Sequence, residues 1–133
     1  MKPPWTFQQA AALEEQRTAR SGRAFSLLRI APASWSSNGG EMEVLANVVS
    51  SQLRRTDFAM SVREREVGAV LIELVQADVV VTRLRGAIGQ KLPWMEVRIG
   101  WAAVGPGQQR TWQEGWKWAG QLLVADAAVR AAA

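Results

Sequence analysis

Arg54 and Asp57, three residues apart, are the pair in this sequence best equipped to hold a ligand. An arginine offers a planar fork of N–H donors and a flat face that stacks, while a carboxylate offers only acceptors. Just downstream, "REREV" at residues 63–67 crowds charged side chains into a turn between two strand-like runs. Hairpin tips this tight ordinarily carry Gly, Asn or Asp, because one or two residues need positive φ. Arg83 and Arg85, in "VTRLRGAI", are further donors. An Arg-x-x-Asp pattern by itself is commonplace, and its ordinary explanation is a solvated helix end with a weak surface ion pair.

Other chemistries are closed. The 133 residues suit one domain and contain neither Cys nor His. Disulfides, thiolate nucleophiles, the commonest general base and the commonest metal ligand are therefore absent. Serine-triad, cysteine-protease and zinc-hydrolase readings fall with them. The net charge of +4 fits anionic partners without selecting one. Tryptophans interleaved with basic residues invite a nucleic-acid reading. However, Trp112 and Trp116, beside Lys117, have the i, i+4 spacing of packing on a core or a partner, and "VGAVLIEL" lacks the aromatics of an RNA-binding sheet. No nucleic-acid partner is expected. No run approaches the ~18 apolar residues of a membrane span, and the N-terminus has no leader-like apolar stretch. The expectation is a cytoplasmic chain without membrane contact of its own, or the cytoplasmic part of a membrane-associated protein. Its last residues, "VRAAA", read like a cut. Residues 1–133 are thus expected to be a single domain taken from a larger protein.

The elements that must position these side chains follow from periodicity. Residues 7–19 hold strong helix formers and close at "RSGR". "AFSLLRIAP" is a strand stopped by Pro32, and "ASWSSNGG" is a loop. Met42, Leu45, Ala46, Val49 and Leu53 recur at helical spacing, predicting an amphipathic helix over 41–54. Phe58, Met60 and Val62 alternate as a half-buried strand, and "VGAVLIEL" is its buried hairpin partner. Ala77, Val80, Val81, Leu84 and Ile88 mark another helix, "WMEVRIGWAAV" another strand, and residues 112–133 a final helix. The result is an α+β fold: a ferredoxin-like or palm βαββαβ core with an antiparallel four-stranded sheet. Residues 67–74 should lie centrally and the charged turn at 63–66 should be exposed.

This pattern resembles the GGDEF domain of the diguanylate cyclase family along almost the whole chain. "RTARSGRAFSLLRIAPASW" is similar to the family's first helix running into "SGRPLALLLLDIDHF", with Trp35 at the position of Phe. "LRRTDFAMSVREREVGAVLIEL" is similar to "LRxxDxxxRxGGDEFxVLLP", "VRIGWA" to "VSIGVA", and "ADAAVRAAA" to "ADxALYxAK". On this resemblance "REREV" stands where the family has GGDEF. Arg63 and Glu64 replace the glycines that admit the nucleotide, Arg65 a metal-binding acid, and Val67 the Phe; Glu66 alone is kept. The aspartates of "DID" fall on Ala31 and Ala33, and a phosphate-contacting lysine on Ala133. Metal-held charge compensation is what such phosphoryl transfer runs on. The expectation is therefore no enzyme: no catalytic residues, no metal and no cofactor. Replacing Glu64 or Glu66 should change little.

The resemblance gives the Arg-x-x-Asp a different meaning. In the family an RxxD ending five residues before the turn binds the product, cyclic di-GMP, and Arg54 and Asp57 stand at that spacing, ahead of "FAMSV". An arginine fork suits guanine O6 and N7, and a carboxylate suits the N1 and N2 hydrogens. A second arginine comes from the following helix, and the spacing from Arg54 favours Arg85. Arg83 and Arg85 lie about 160° apart on a helical wheel, so only one should join. The implied function is a cyclic di-GMP receptor that relays its signal to a protein partner or attached domains. Such receptors regulate exopolysaccharide export, biofilm formation or motility. The alternative is a dimerisation or docking module derived from the same fold, acting through its tryptophan-rich helix without the ligand.

Overall fold

Thr6 opens the first helix, α1 (Phe7–Ser21), with a capping box: its hydroxyl accepts from the Gln9 N–H, and the Gln9 amide oxygen accepts from the Thr6 N–H. Gly22, at φ 75°, closes it in the left-handed conformation that glycine adopts freely. The computed structural model describes residues 6–33, 39–63, 66–74, 76–108 and 110–132. Trp35, Glu64, Arg65 and Ala133 lie outside them. After α1 come β1 (Phe25–Pro32), α2 (Gly39–Ser51), β2 (Phe58–Arg63), β3 (Glu66–Leu71), α3 (Asp78–Lys91), β4 (Val97–Val104) and α4 (Trp112–Ala132).

The four strands form one antiparallel sheet in the order β2-β3-β1-β4. The expected βαββαβ core is present, with β3 central. Alternation along the strands divides the side chains between two faces. Leu28, Ile30, Val67, Ala69 and Leu71 meet α2 and α3, through Leu45, Val49, Leu84 and Ile88. Phe25, Leu27, Val70 and Val104 meet α1 and α4, through Phe7, Ala11, Trp112 and Trp116. The internal helices thus cover one face and the terminal helices the other.

Three boundaries differ from periodicity. Helix α2 stops at Ser51 because the chain turns at 52–56. Strand β3 stops at Leu71, and Glu73 adopts a left-handed φ of 53°. Strand β4 starts at Val97, after a turn in which the Met95 N–H donates to the Leu92 carbonyl at 2.9 Å.

Helix α4 lies close on β4 because Gly100 lacks a side chain. A Cβ there would run into the Ala119 carbonyl and stand 2.6 Å from the Leu123 amide nitrogen. Backbone cannot yield as a flexible side chain does. Gly100→Ala is expected to destabilise the domain by at least about 1–3 kcal/mol. Urea unfolding measures this; an unchanged midpoint would show that α4 is not seated as described.

Candidate functional site

The turn from α2 into β2 folds the Asp57 side chain inward, where only 3% of it is exposed. Its Oδ2 accepts from the Arg54 amide at 3.1 Å and from Arg54 Nε at 2.9 Å. Its Oδ1 accepts from Arg54 Nη2 at 3.0 Å and from the Ile72 amide at 2.9 Å. Arg54 Nη2 also donates to the Ile72 carbonyl. The pair therefore grips both backbone polar groups of Ile72, just past the end of β3. Its bond to Asp57 raises the Arg54 pKa above its ordinary value, against a smaller opposing effect of burial. Arg54 is locked in place yet 52% exposed, and its Nη1 makes no hydrogen bond among the described residues.

This geometry divides the work differently from the expectation drawn from sequence. Both oxygens of Asp57 are committed to backbone and to Arg54, so in this arrangement the carboxylate has no lone pair for a guanine. Asp57 holds Arg54 in place, and of the two side chains Arg54 is the exposed one.

The two arginines of α3 go separate ways. Arg83 Nη2 donates to the Gln52 carbonyl at 2.7 Å, two residues before Arg54. Arg85 instead reaches Asp126 on α4 at 2.8 Å and the Val97 carbonyl at 3.3 Å. Asp126 also accepts from the Ile99 amide at 3.0 Å, so this ion pair fastens the edge strand β4. The wheel separation is real, but Arg83 rather than Arg85 shares the surface of Arg54.

The neighbourhood is charged. Glu73 pairs with Arg23 at 2.9 Å, and α1 contributes the buried Glu14. Burial raises the Glu14 pKa, Arg17 opposes this, and the Glu73 charge adds to it. A carboxyl whose folded pKa is raised supports the fold below its unfolded pKa, and that support is lost as pH rises through the folded value. Glu14→Gln should therefore raise the melting temperature at pH 7, with the gain shrinking as pH falls through the carboxylate range. A gain independent of pH would contradict this.

The charged turn holds a feature that sequence reasoning missed. Glu66 is not a solvated tip residue: it is buried and takes a two-pronged contact from Arg29 of β1, through Nε to Oε1 and through Nη2 to Oε2 at 3.1 Å. Arg29 also lies over the Trp116 ring, 4.4 Å from its centroid, and Nη1 donates to the Trp116 carbonyl at 3.1 Å. Phe7 packs against the same indole with its ring tilted by 43° and the centroids 4.6 Å apart. The available signal was a lone arginine inside an apolar strand. Such a residue requires a counter-charge on the same face.

At the family's metal positions, Ala31 is buried and in register with Arg98, and the amide of exposed Ala33 donates to the Glu96 carbonyl at 2.7 Å. Among the described residues no three acidic side chains gather as a metal site would require. Nor, among them, is any helix long and apolar enough to cross a membrane.

No protein-family model matches the chain, and no curated protein matches it. Solved structures do. Diguanylate cyclase SiaD from Pseudomonas aeruginosa, in complex with its activator SiaC, superposes with a TM-score of 0.74 at 16% identity, covering 91% of this chain and 53% of that one. The chain thus spans about half the length of that relative. The active GGEEF domain of a diguanylate cyclase from Vibrio cholerae gives 0.74 at 14% identity, covering 88% and 85%. The GGDEF domain of DgcB from Caulobacter crescentus, in complex with cyclic di-GMP, gives 0.71 at 16% identity, covering 90% and 81%. These matches correct the expectation that the chain is no enzyme. Among the structures that share its fold are diguanylate cyclases, one of them described as active, so the expectation of no enzyme finds no support in the fold. The chain has the fold of the GGDEF domains of diguanylate cyclases.

Proposed function

We propose that this domain binds cyclic di-GMP at Arg54 and hands the binding event to a larger assembly of the kind that controls exopolysaccharide, biofilm or motility. The observation that carries the reading is a half-exposed guanidinium held by a buried carboxylate through Nε and Nη2, with Nη1 making no hydrogen bond among the described residues. Guanine offers O6 and N7 to such a donor, and its ring stacks on the plane. Pre-positioning removes part of the ordering cost of binding. Arg83, on the same surface, supplies a second cation for the ligand's phosphates. The complex of the Caulobacter crescentus domain supports the choice of ligand.

Thermal unfolding tests the reading. Cyclic di-GMP should stabilise the domain in proportion to occupancy, by about 2.7 kcal/mol at a hundredfold excess over Kd. Cyclic di-AMP serves as the control. Equal stabilisation by both dinucleotides would argue against guanine recognition at Arg54.

A further inference from the structure

The outer face of α4 carries a second group of side chains that nothing above employs. Gly115, Ala119 and Leu123 turn inward and are buried, which leaves Glu114, Lys117, Trp118 and Gln121 on the opposite side of the helix. The β4–α4 loop bends over this side through Gly105 and Gly107, both at positive φ, and brings Gln108 and Arg110 to it. Between loop and helix lies a groove of about 550 Å³ lined by these six residues. Trp118 is 47% exposed, with the Arg110 guanidinium 5.8 Å from its ring centroid. Glu114 is occupied within the protein, accepting from the Thr111 amide and hydroxyl at 3.0 Å each. The side chains of Gln108, Lys117 and Gln121 have no hydrogen-bond partner among the described residues.

We propose that this groove is a separate binding site for a nucleoside monophosphate. An exposed indole is a stacking platform for a base. Two primary amides at its margins each present donor and acceptor together, which matches the mixed edge of a nucleobase. Arg110 and Lys117 supply the charge for a phosphate, and the single acid of the groove is already tied to Thr111. One ring stacks one base, and the polar face from residue 114 to residue 121 runs only about 10 Å along the helix. The groove therefore suits a mononucleotide and not a strand. It shares no residue with the Arg54 surface, so the two sites stand or fall separately.

The test is titration of the whole chain with GMP and with AMP, followed by calorimetry and by tryptophan fluorescence. Saturable binding with quenching is expected, and both Trp118→Ala and Arg110→Ala should weaken it about tenfold or more. Arg54→Ala should leave it unchanged. Adenosine, which lacks the phosphate, should bind at least about fivefold more weakly than AMP. The replaced side chains are at the surface, and unchanged melting temperatures would show that the variants fold. No saturable binding of either monophosphate would overturn the proposal. So would binding that both α4-groove variants leave intact, adenosine binding as tightly as AMP, or loss of the binding on Arg54→Ala.

Discussion

Glu66→Ala should cost the domain about 3–5 kcal/mol, the usual penalty for removing one member of a buried ion pair. Arg29 and Glu66 have side chains only 14% and 11% exposed, so the abandoned guanidinium cannot recover its hydration without breaching the contact between α4 and the sheet. Its remaining partners, the Trp116 carbonyl and ring, offer no full negative charge. For a domain of this size the melting temperature should fall by about 10 °C or more. Arg29→Met combined with Glu66→Leu removes both charges while keeping apolar volume, and should recover most of the loss. A Glu66→Ala variant within about 1 kcal/mol of wild type would mean that the pair is not buried as described. This result would also separate the two residues of the turn that look equivalent in sequence, Glu64 and Glu66.

The second large effect concerns the ligand. Arg54→Ala removes a charge-assisted donor and a stacking plane, and should weaken cyclic di-GMP about ten- to a hundredfold. Asp57→Ala should do comparable harm to binding by another route. It leaves the Ile72 amide without its acceptor and frees Arg54 to wander, so about 1–3 kcal/mol of stability goes as well. Asp57 therefore differs from Arg54 in what it costs the unliganded domain. Arg83→Ala should weaken binding modestly without lowering stability. Arg85→Ala should lower stability without touching binding, because it breaks the Asp126 clamp on β4. Equal effects of the two α3 substitutions on affinity would contradict the surfaces assigned to them.

Most of the architecture was legible because each signal was local. The β1 run, the alternation of β2 and the helix formers of α1 each speak through a few neighbouring residues. Of the two options their i, i+4 spacing left, core or partner, Trp112 and Trp116 pack against the core, partly buried. The reading failed where a side chain's meaning depends on a partner far along the chain. Glu66 looked solvated because its neighbours are charged, whereas its environment is set by Arg29, 37 residues earlier on β1, the strand paired directly with β3. Arg85 looked better spaced for the ligand, yet Asp126, 41 residues on, claims it. Asp57 kept its predicted place beside Arg54, but its role changed once the Ile72 amide was seen to occupy it.

Isothermal titration of the wild-type domain with cyclic di-GMP, run beside Arg54→Ala, tests the central claim most directly. Saturable heat with the wild type, lost or weakened about ten- to a hundredfold in the variant, is the predicted result. No heat from the folded wild-type domain at high micromolar ligand would contradict it and leave the docking-module reading in its place.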